Sequence, residues 1–560
     1  MALSYVEAVP KVMSVALIEL VEMTATLNVV VSINSTTVMQ TYWTTPFIGD
    51  KMAAPEAVIE IGATGVRLLV AEVTEDRKRN ILDRAEMPYS LGREVFTTGS
   101  ITRETQLQCL HILQRFKEQL SGWGIEPGQA NVIATAAFRE AKNKDPVMDK
   151  IFSQTGFRVK VIDGIEENRL MYLAVTECFQ GDAPDIKSGN SVILEVSGGS
   201  TELMLMKKGK IAGAHSLHIG TVRLAPKIKG QSINLEDIQR YVEEYAINAK
   251  GLFESELNIS EVNQFIAVGG DATLAAINAG QPISTWLWSI ERDKFDRFVD
   301  EIQQYTTDEC VARFKISYND AQTLPVSLLI YKMFIHHTNV QTIIVPETNI
   351  RNGLVYSKTA APSEELKKEF SEQIIASATN LLRKYHGDIF HAKNVMQNSL
   401  KIYECMEKEL SLDERSRTLL AVSALLHDIG NFINMSNHHE HSEYIIRHSD
   451  IFGLTRPENI IVATIAHYHR GKQRPEDSEQ FQILARSDRM QILKLTAILR
   501  IADALDRSHG QSIRDFCVKL KNDSLIISAK GIKNLALERI ALAEKGELFE
   551  SVFGYKVILV

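Results

Sequence analysis

The sequence predicts an α/β protein made of two similar halves, followed by a helical domain and a small α/β segment at the C-terminus. An apolar strand, a glycine-containing turn and a second strand occur twice, at residues 58–70 and 191–205. Each copy opens a stretch in which strands and amphipathic helices alternate, which is typical of α/β organisation. Residues 366–510 instead carry apolar residues mainly at helical spacing. Two similar halves predict a cleft between them.

The elements follow one another in a regular order along the chain. In the first half, the predicted elements are strands within Val58–Val73, a helix near Glu104–Trp123, strands Ala130–Thr135 and Arg158–Ile162, and a helix from Glu166. In the second half, they are the hairpin at 191–205, a helix near Glu236–Leu257, the strand and turn Phe265–Thr273, and the strand Thr342–Pro346. The C-terminal elements are helices including Ile374–Leu382 and Leu419–Leu426, strands Phe516–Leu520, Ser524–Ser528 and Tyr555–Val560, and a charged helix Leu535–Glu544.

Length and composition set the domain count and the protein class. Since single cores rarely exceed about 250–300 residues, the 560 residues are divided into segments 1–51, 52–142, 143–360, 361–510 and 511–560. A formal net charge of −8 argues against general nucleic-acid affinity. Five scattered cysteines without a Cys-x-x-Cys pair predict a reduced, cytoplasmic protein.

The first 51 residues have no clear role. Residues 12–33 are largely apolar but carry Glu19 and Glu22, which fits neither a signal peptide nor a membrane span. An extra packed element, a divergent targeting segment and an extension outside the working protein all remain open, and the last is favoured. We expect no membrane association, and the apolar helices of the C-terminal half favour a homodimer.

The two glycine turns indicate phosphate chemistry. In each, a carboxylate ends the first strand, Glu60 in one copy and Glu195 in the other. The small residues that follow allow successive backbone N–H groups to turn toward one anion. Two such loops could hold one phosphate chain between them.

Five motifs in this order resemble the exopolyphosphatase/guanosine pentaphosphate phosphohydrolase (Ppx/GppA) family. They lie at Glu60–Arg67, Ala134–Asn143, Gly164–Leu170, Ser197–Leu203 and Arg351–Tyr356. The resemblance implies an actin-like, sugar-kinase-like duplicated fold that hydrolyses a terminal phosphoanhydride in the cleft. Inorganic polyphosphate is the substrate it favours, and guanosine pentaphosphate is the alternative.

The resemblance also assigns roles to individual residues. Glu167 matches the general base that deprotonates the attacking water, and Glu202 matches a second catalytic carboxylate. Glu60 and Glu195 match the strand-end carboxylates used near Mg²⁺, a cation that prefers oxygen ligands. The implied phosphate-binding residues are Ala63, Thr64, Gly65, Arg67, Arg139, Gly198, Gly199, Ser200 and Thr201.

The chain departs from the family pattern in both loops. Glu60 and Glu195 stand where family members usually carry aspartate, Ala63 and Gly65 where they carry serine, and Ser197 where they carry glycine. A glutamate reaches one methylene further than an aspartate, and two hydroxyl donors are missing. These changes predict lowered turnover, and they support the alternative of a regulatory protein that binds polyphosphate or an alarmone without hydrolysing it.

The helical region carries a second set of candidate ligands. The set follows an H…HD…D pattern made of His391, the adjacent pair His427 and Asp428, and Asp503. This pattern resembles the HD metal-dependent phosphohydrolase superfamily. It implies a second divalent metal. The alternative that this domain carries the reaction, on a nucleotide, stays open.

Basic residues and histidines of the same region predict a cationic path for a long polyanion. A polar loop with a solvated helix end is the other interpretation. The residues of the predicted path are His438, His441, His467, Arg470, Lys472 and Arg474.

Overall fold

The computed structural model describes most of the chain after residue 54. The described residues are 55–73, 79–179, 184–186, 188–224, 237, 240–245, 247, 256–359, 364–470, 475–513, 516–521, 523–529 and 535–560. The N-terminal segment 1–51 and most of the helix expected near Glu236–Leu257 therefore lie outside them. Within the described ranges, no helix has both the length and the apolar character needed to cross a membrane.

The first half is built on a mixed sheet. Its strands are β1 (Glu56–Ile61), β2 (Gly65–Val73), β3 (Arg79–Pro88), β4 (Asn131–Ala134) and β5 (Val159–Val161). Its helices are α1 (Leu91–Thr98), α2 (Arg103–Gly122), α3 (Ala136–Glu140), α4 (Lys144–Thr155) and α5 (Gly164–Cys178). The strand order is β3-β2-β1-β4-β5. β5 pairs in parallel with β4, so this sheet continues beyond residue 142, where the sequence had suggested a domain boundary.

The second half repeats this arrangement and extends it. Its strands are β6 (Asn190–Val196), β7 (Thr201–Lys207), β8 (Lys210–Leu217), β9 (Gln264–Val268), β10 (Gln281–Ser284), β11 (Leu287–Glu291) and β12 (Thr342–Pro346). Its helices are α6 (Gly270–Ala279), α7 (Arg292–Ile302), α8 (Thr307–Phe314), α9 (Tyr318–His336) and α10 (Ile350–Thr359). The order β8-β7-β6-β9-β12 matches β3-β2-β1-β4-β5. In both halves the hairpin strands are antiparallel and the last two strands run parallel.

The two hairpins also share their register. Glu60 lies opposite Arg67 in the first hairpin, and Glu195 lies opposite Glu202 in the second. The predicted repeat is therefore present residue by residue, and the duplicated actin-like fold is confirmed.

Helix α10 returns from the second half to the first, where it packs against α5, β1 and β2. The contact with α5 is close enough to require glycine, because a Cβ on Gly353 would lie 2.0 Å from the carbonyl oxygen of Leu170. This packing holds the two halves together beside the cleft.

The helical domain and the C-terminal segment pack together. The helices are α11 (Glu364–Lys384), α12 (Ile389–Cys405), α13 (Glu407–Leu410), α14 (Glu414–Leu426), α15 (His438–Arg447), α16 (Arg456–His467), α17 (Glu479–Gln482) and α18 (Arg486–Ala504). The C-terminal elements are β13 (Phe516–Lys521), β14 (Ser524–Ala529), α19 (Ala536–Phe553) and β15 (Lys556–Leu559). Leu420 and Ile498 share one apolar core with Leu525 and Phe549, so the boundary drawn at residue 510 separates segments that pack as one.

Helix α11 covers the edge strand β8 of the second sheet. The amide of Gln373 accepts the N–H of Ile211 at 2.9 Å and donates to the carbonyl of Gly209 at 2.8 Å. These bonds satisfy backbone groups that an open sheet edge would expose. The helical domain is thereby fixed to the second half.

Candidate functional site

A cavity of about 450 Å³ lies between the two halves. The loop after β1 lines it from one side and the loop after β6 from the other. The predicted site residues among its lining are Glu60, Ala63, Thr64, Arg67, Glu195, Gly198 and Gly199. The loops meet closely, since a Cβ on Gly198 would lie 2.9 Å from the Cβ of Ala63.

The backbone of both loops presents donors to this cavity. The N–H groups of Ala63, Thr64, Gly198 and Gly199 have no protein acceptor within the described part of the chain. Unpaired N–H groups in two facing turns form an anion-binding arrangement. The geometry therefore suits a phosphate group held between the loops.

Four predicted phosphate ligands are not part of the cavity lining, namely Gly65, Arg139, Ser200 and Thr201. The two predicted catalytic carboxylates, Glu167 and Glu202, are not part of it either. The hydroxyl of Ser200 donates to Glu202 Oε1 at 2.9 Å, and that of Thr201 donates to the Ile219 carbonyl at 2.7 Å. The carbonyl of Gly65 accepts the N–H of Gly62 at 2.9 Å. These groups stabilise the loops through internal hydrogen bonds.

Glu167 lies in the first turn of α5. Asp163 caps this helix by accepting the N–H of Glu166 at 2.9 Å. The side chain is only 4% exposed, and Arg139 Nη1 lies 2.7 Å from Glu167 Oε1. Burial raises the pKa of Glu167 to about 7, and the Arg139 guanidinium limits that rise. A carboxyl group with this pKa can take up a proton near neutral pH.

Glu202 is held by several donors that the sequence did not identify. Oε1 accepts the hydroxyl of Ser216 at 2.7 Å as well as that of Ser200, and Oε2 accepts the amide of Asn168 at 2.9 Å. Burial raises the pKa of Glu202 well above its usual value, and the charge of Glu167 adds to this. The two predicted catalytic carboxylates therefore influence each other.

Carboxylates hold the arginines of the site. Arg67 Nε lies 2.8 Å from Glu86, and Arg67 also donates to Thr64 Oγ1 at 3.2 Å. Arg139, predicted as a direct phosphate ligand, is outside the cavity lining and pairs with Glu167 instead. Arg351, at the start of α10, lines the cavity and forms an ion pair with Glu60. Its motif was visible in the sequence, but its partner was not.

The donors of the cavity fit a hard cation. Burial raises the pKa of Glu195 to about 8, and the negative charges of Glu60 and Glu167 add to the rise. A buried carboxylate surrounded by other carboxylates is relieved by a bound cation, and oxygen donors suit Mg²⁺. Arg351 already neutralises part of this charge at Glu60, which leaves Glu195 as the stronger candidate ligand.

The four candidate ligands of the helical domain converge. Nε2 of His391 and Nε2 of His427 lie 3.3 Å apart, and Asp503 Oδ1 lies 3.6 and 3.7 Å from them. Asp428 Oδ1 lies 3.7 Å from His427 Nε2. Both imidazoles are almost fully buried, so these atoms enclose a small polar site inside the helical domain.

The structure changes the interpretation of the predicted polyanion path. His438 is only 9% exposed and lies beside Asp428, with Nε2 3.1 Å from Oδ1, so it does not form part of an open surface. Arg470 donates to the Ser436 carbonyl at 3.0 Å, and His467 Nδ1 lies 2.8 Å from Glu443. His441 lies on α15. Lys472 and Arg474 are outside the described residues.

Comparison with known proteins decides the family. Residues 69–361, more than half of the chain, match the Ppx/GppA phosphatase family, and residues 375–545 match domain III of Ppx/GppA phosphatases. The chain belongs to the Ppx/GppA phosphatase family. The first hairpin loop lies before the matched range, and the histidine–aspartate cluster lies within the domain III match.

Individual Ppx/GppA relatives are distant in sequence. A guanosine-5'-triphosphate,3'-diphosphate pyrophosphatase of Photobacterium profundum is 22% identical over 487 residues, which cover 84% of this chain and 91% of that protein. The crystal structure of an exopolyphosphatase from Cytophaga hutchinsonii is 20% identical, with a TM-score of 0.48, covering 54% of this chain and 97% of the other. An Aquifex aeolicus Ppx/GppA family member is 22% identical, with a TM-score of 0.44, and the coverages are 56% and 98%.

One residue of this Ppx/GppA protein that sequence reasoning did not single out is His469. It follows α16 and is 2% exposed, with Nε2 3.3 Å from Asp428 Oδ1. The signal was present in the closely spaced histidines after Ala466, but the pattern did not show which of them faces inward.

Proposed function

We propose that this protein hydrolyses the terminal phosphoanhydride of inorganic polyphosphate and releases orthophosphate, with Glu167 as the general base. The observation that carries the proposal is the position of Glu167, which is buried and oriented by Arg139 at 2.7 Å. Its pKa of about 7 allows it to accept a proton at neutral pH.

In the proposed reaction, the two glycine loops bind the terminal phosphate through their backbone N–H groups. Glu167 orients a water molecule and removes its proton as the water oxygen attacks phosphorus. The bond between that phosphorus and the bridging oxygen breaks, and the shortened chain leaves with the bridging oxygen. Glu202, held by Ser200, Ser216 and Asn168, fixes the inner wall of the site.

Glu195, and Glu60 beside it, would hold a Mg²⁺ ion in this site. The ion would supply charge neutralisation for the phosphate oxygens. The ion pair between Glu60 and Arg351 makes the arginine a second source of positive charge at the same wall. This ion pair offers a physical reason why glutamate, which is longer than the aspartate usual in the family, is tolerated at position 60.

Guanosine pentaphosphate is the second candidate substrate. The relative from Photobacterium profundum bears the name of a pyrophosphatase for this nucleotide and matches 84% of the chain. The cavity also continues along α6 past Thr273, Leu274 and Ile277, where a nucleoside has both polar and apolar neighbours.

The test is phosphate release from long-chain polyphosphate and from guanosine pentaphosphate, each measured with Mg²⁺ and with EDTA. We expect metal-dependent release, with a higher kcat/KM for polyphosphate. A higher kcat/KM for the nucleotide would replace the first substrate by the second. Tight polyphosphate binding without release would instead identify a regulatory protein.

The pH dependence of the reaction follows from the environment of Glu167. A general base acts only when it is deprotonated, so kcat/KM is expected to fall about tenfold per pH unit below pH 7 and to level off above it. Replacing Arg139 by methionine removes the charge that holds this pKa down, and should therefore move the falling limb to higher pH. A profile that Arg139→Met leaves unchanged would contradict the assignment.

A further inference from the structure

A second group of potential metal ligands adjoins the four that the sequence indicated. Asp428 Oδ1, His438 Nε2 and His469 Nε2 lie at 3.1, 3.2 and 3.3 Å from one another. Donors bound to one ion at about 2.0–2.2 Å, at octahedral or tetrahedral angles, lie roughly 2.8–3.6 Å apart. The three atoms therefore have the spacing of one face of a coordination shell.

The imidazoles of His391, His427, His438 and His469 use Nδ1 for hydrogen bonds, which leaves their Nε2 atoms available to bind a metal ion. Nδ1 of His427, His438 and His469 lies at 2.8, 3.0 and 2.5 Å from the carbonyl oxygens of Ala424, Met435 and Ala466. Nδ1 of His391 lies 2.8 Å from Asp506 Oδ2. At His391, His427 and His469 these oxygens can only accept, so Nδ1 carries the proton and a neutral ring presents a bare lone pair at Nε2. His438 Nδ1 lies between the Met435 carbonyl and Arg470 Nη1, which is 3.2 Å away, and the tautomer that donates to Met435 leaves its Nε2 free for a metal.

Hydrogen bonding alone accounts poorly for this arrangement. With both Nδ1 atoms protonated, the Nε2 atoms of His438 and His469 meet at 3.2 Å as two lone pairs. One added proton would serve a single edge of the triangle with Asp428, whereas a cation at its centre contacts all three atoms. Mixed imidazole and carboxylate donors favour Mn²⁺, Fe²⁺ or Zn²⁺ over Mg²⁺ or Ca²⁺.

Asp428 belongs to both groups. Its Oδ1 faces His438 and His469, and its Oδ2 lies 4.0 Å from His391 Nε2. We propose that the helical domain binds a pair of divalent transition-metal ions bridged by Asp428. His391, His427 and Asp503 complete one ion's ligand set, and His438 and His469 complete the other's. This centre is separate from the phosphate cleft and does not depend on the function proposed for it.

The C-terminal segment supports Asp503, a ligand of the ion that His391 and His427 would bind. Asp503 directs Oδ1 toward the two imidazoles, while its Oδ2 pairs with Lys545 of α19. Lys545 thus acts as a positioning residue that fixes the carboxylate with one oxygen toward the ion. Support of this kind changes metal affinity by about 10–100-fold when it is removed, which we expect for Lys545→Met.

The experiment is reconstitution of the full chain with Mn²⁺, followed by metal analysis and electron paramagnetic resonance. Wild type should bind two tightly held ions per chain and show the spectrum of an exchange-coupled pair. His469→Gln and, separately, His438→Asn should each bind one ion and show an uncoupled Mn²⁺ spectrum. Glu167→Gln, altered only in the cleft, should keep the coupled pair.

His441→Ala is the matched control, because His441 lies on the same helix as His438 but outside the three-atom group. It should retain both ions. A wild-type chain that holds one tight ion, or none, would overturn the proposal. So would a coupled pair that persists in both His469→Gln and His438→Asn, provided that circular dichroism shows the two variants to be folded.

Discussion

Replacing Glu167 by glutamine is expected to lower kcat for phosphate release by about 10²–10⁴-fold, the usual contribution of a positioned general base. The amide keeps the shape of the side chain and its contact with Arg139, but it cannot accept a proton from water. Because the two glycine loops proposed to bind phosphate are unchanged, KM should change little. The measurement is steady-state phosphate release from the substrate that wild type prefers.

Glu166→Gln is the matched control for this variant. Glu166 precedes Glu167 in the same helical turn but pairs with Arg169 at 2.6 Å. The charge of Glu167 contributes to the raised pKa values of Glu195 and Glu202, and that of Glu166 is not among their causes. Glu166→Gln should keep near wild-type kcat. If Glu167→Gln retains full activity while His427→Ala loses it, the reaction belongs to the helical domain and the cleft assignment is wrong.

The repeat of the two hairpins could be predicted from sequence because a hairpin is a local structure. The spacing of Glu60 from Arg67 and of Glu195 from Glu202 is the same, and a four-residue turn fixes the register in both. The helix that carries Glu167 was predicted from Glu166, and the structure starts it two residues earlier, at Gly164, because Asp163 caps it.

Contacts between distant segments could not be predicted in this way. Arg351 reaches Glu60 across 291 residues, through the return of α10 to the first half. The motif around Arg351 marks a helix start, but only the fold determines which carboxylate it meets. Ser216 and Asn168 meet Glu202 for the same reason.

The histidines of α15 show most clearly what could not be predicted from the sequence. His438 and His441 differ by three residues on one helix, and the sequence placed both on a polyanion path. The structure directs His438 toward Asp428 and His469. Which histidine of a polar cluster faces inward depends on how α15 packs against α16, which a single sequence does not fix.

Replacing Gly220 by alanine is expected to impair the cleft strongly while Glu167 remains intact. The added Cβ would lie 2.5 Å from the carbonyl carbon of Gly199 and 2.6 Å from both the Gly198 oxygen and the Ser200 nitrogen. All three are backbone atoms of the glycine loop after β6, so the loop itself must move. Overpacking of this kind costs about 1–3 kcal/mol of stability, and we expect kcat/KM to fall at least tenfold.

The matched control is Gly270→Ala. Gly270 lines the same cavity, but a Cβ there meets no atom within 4 Å, so activity and thermal stability should stay close to wild type. Equal activity of Gly220→Ala and wild type would show that the loop position tolerates displacement, and the backbone N–H groups could not then be the main phosphate ligands. Loss of activity with an unchanged polyphosphate dissociation constant would assign the loop to the transition state and not to ground-state binding.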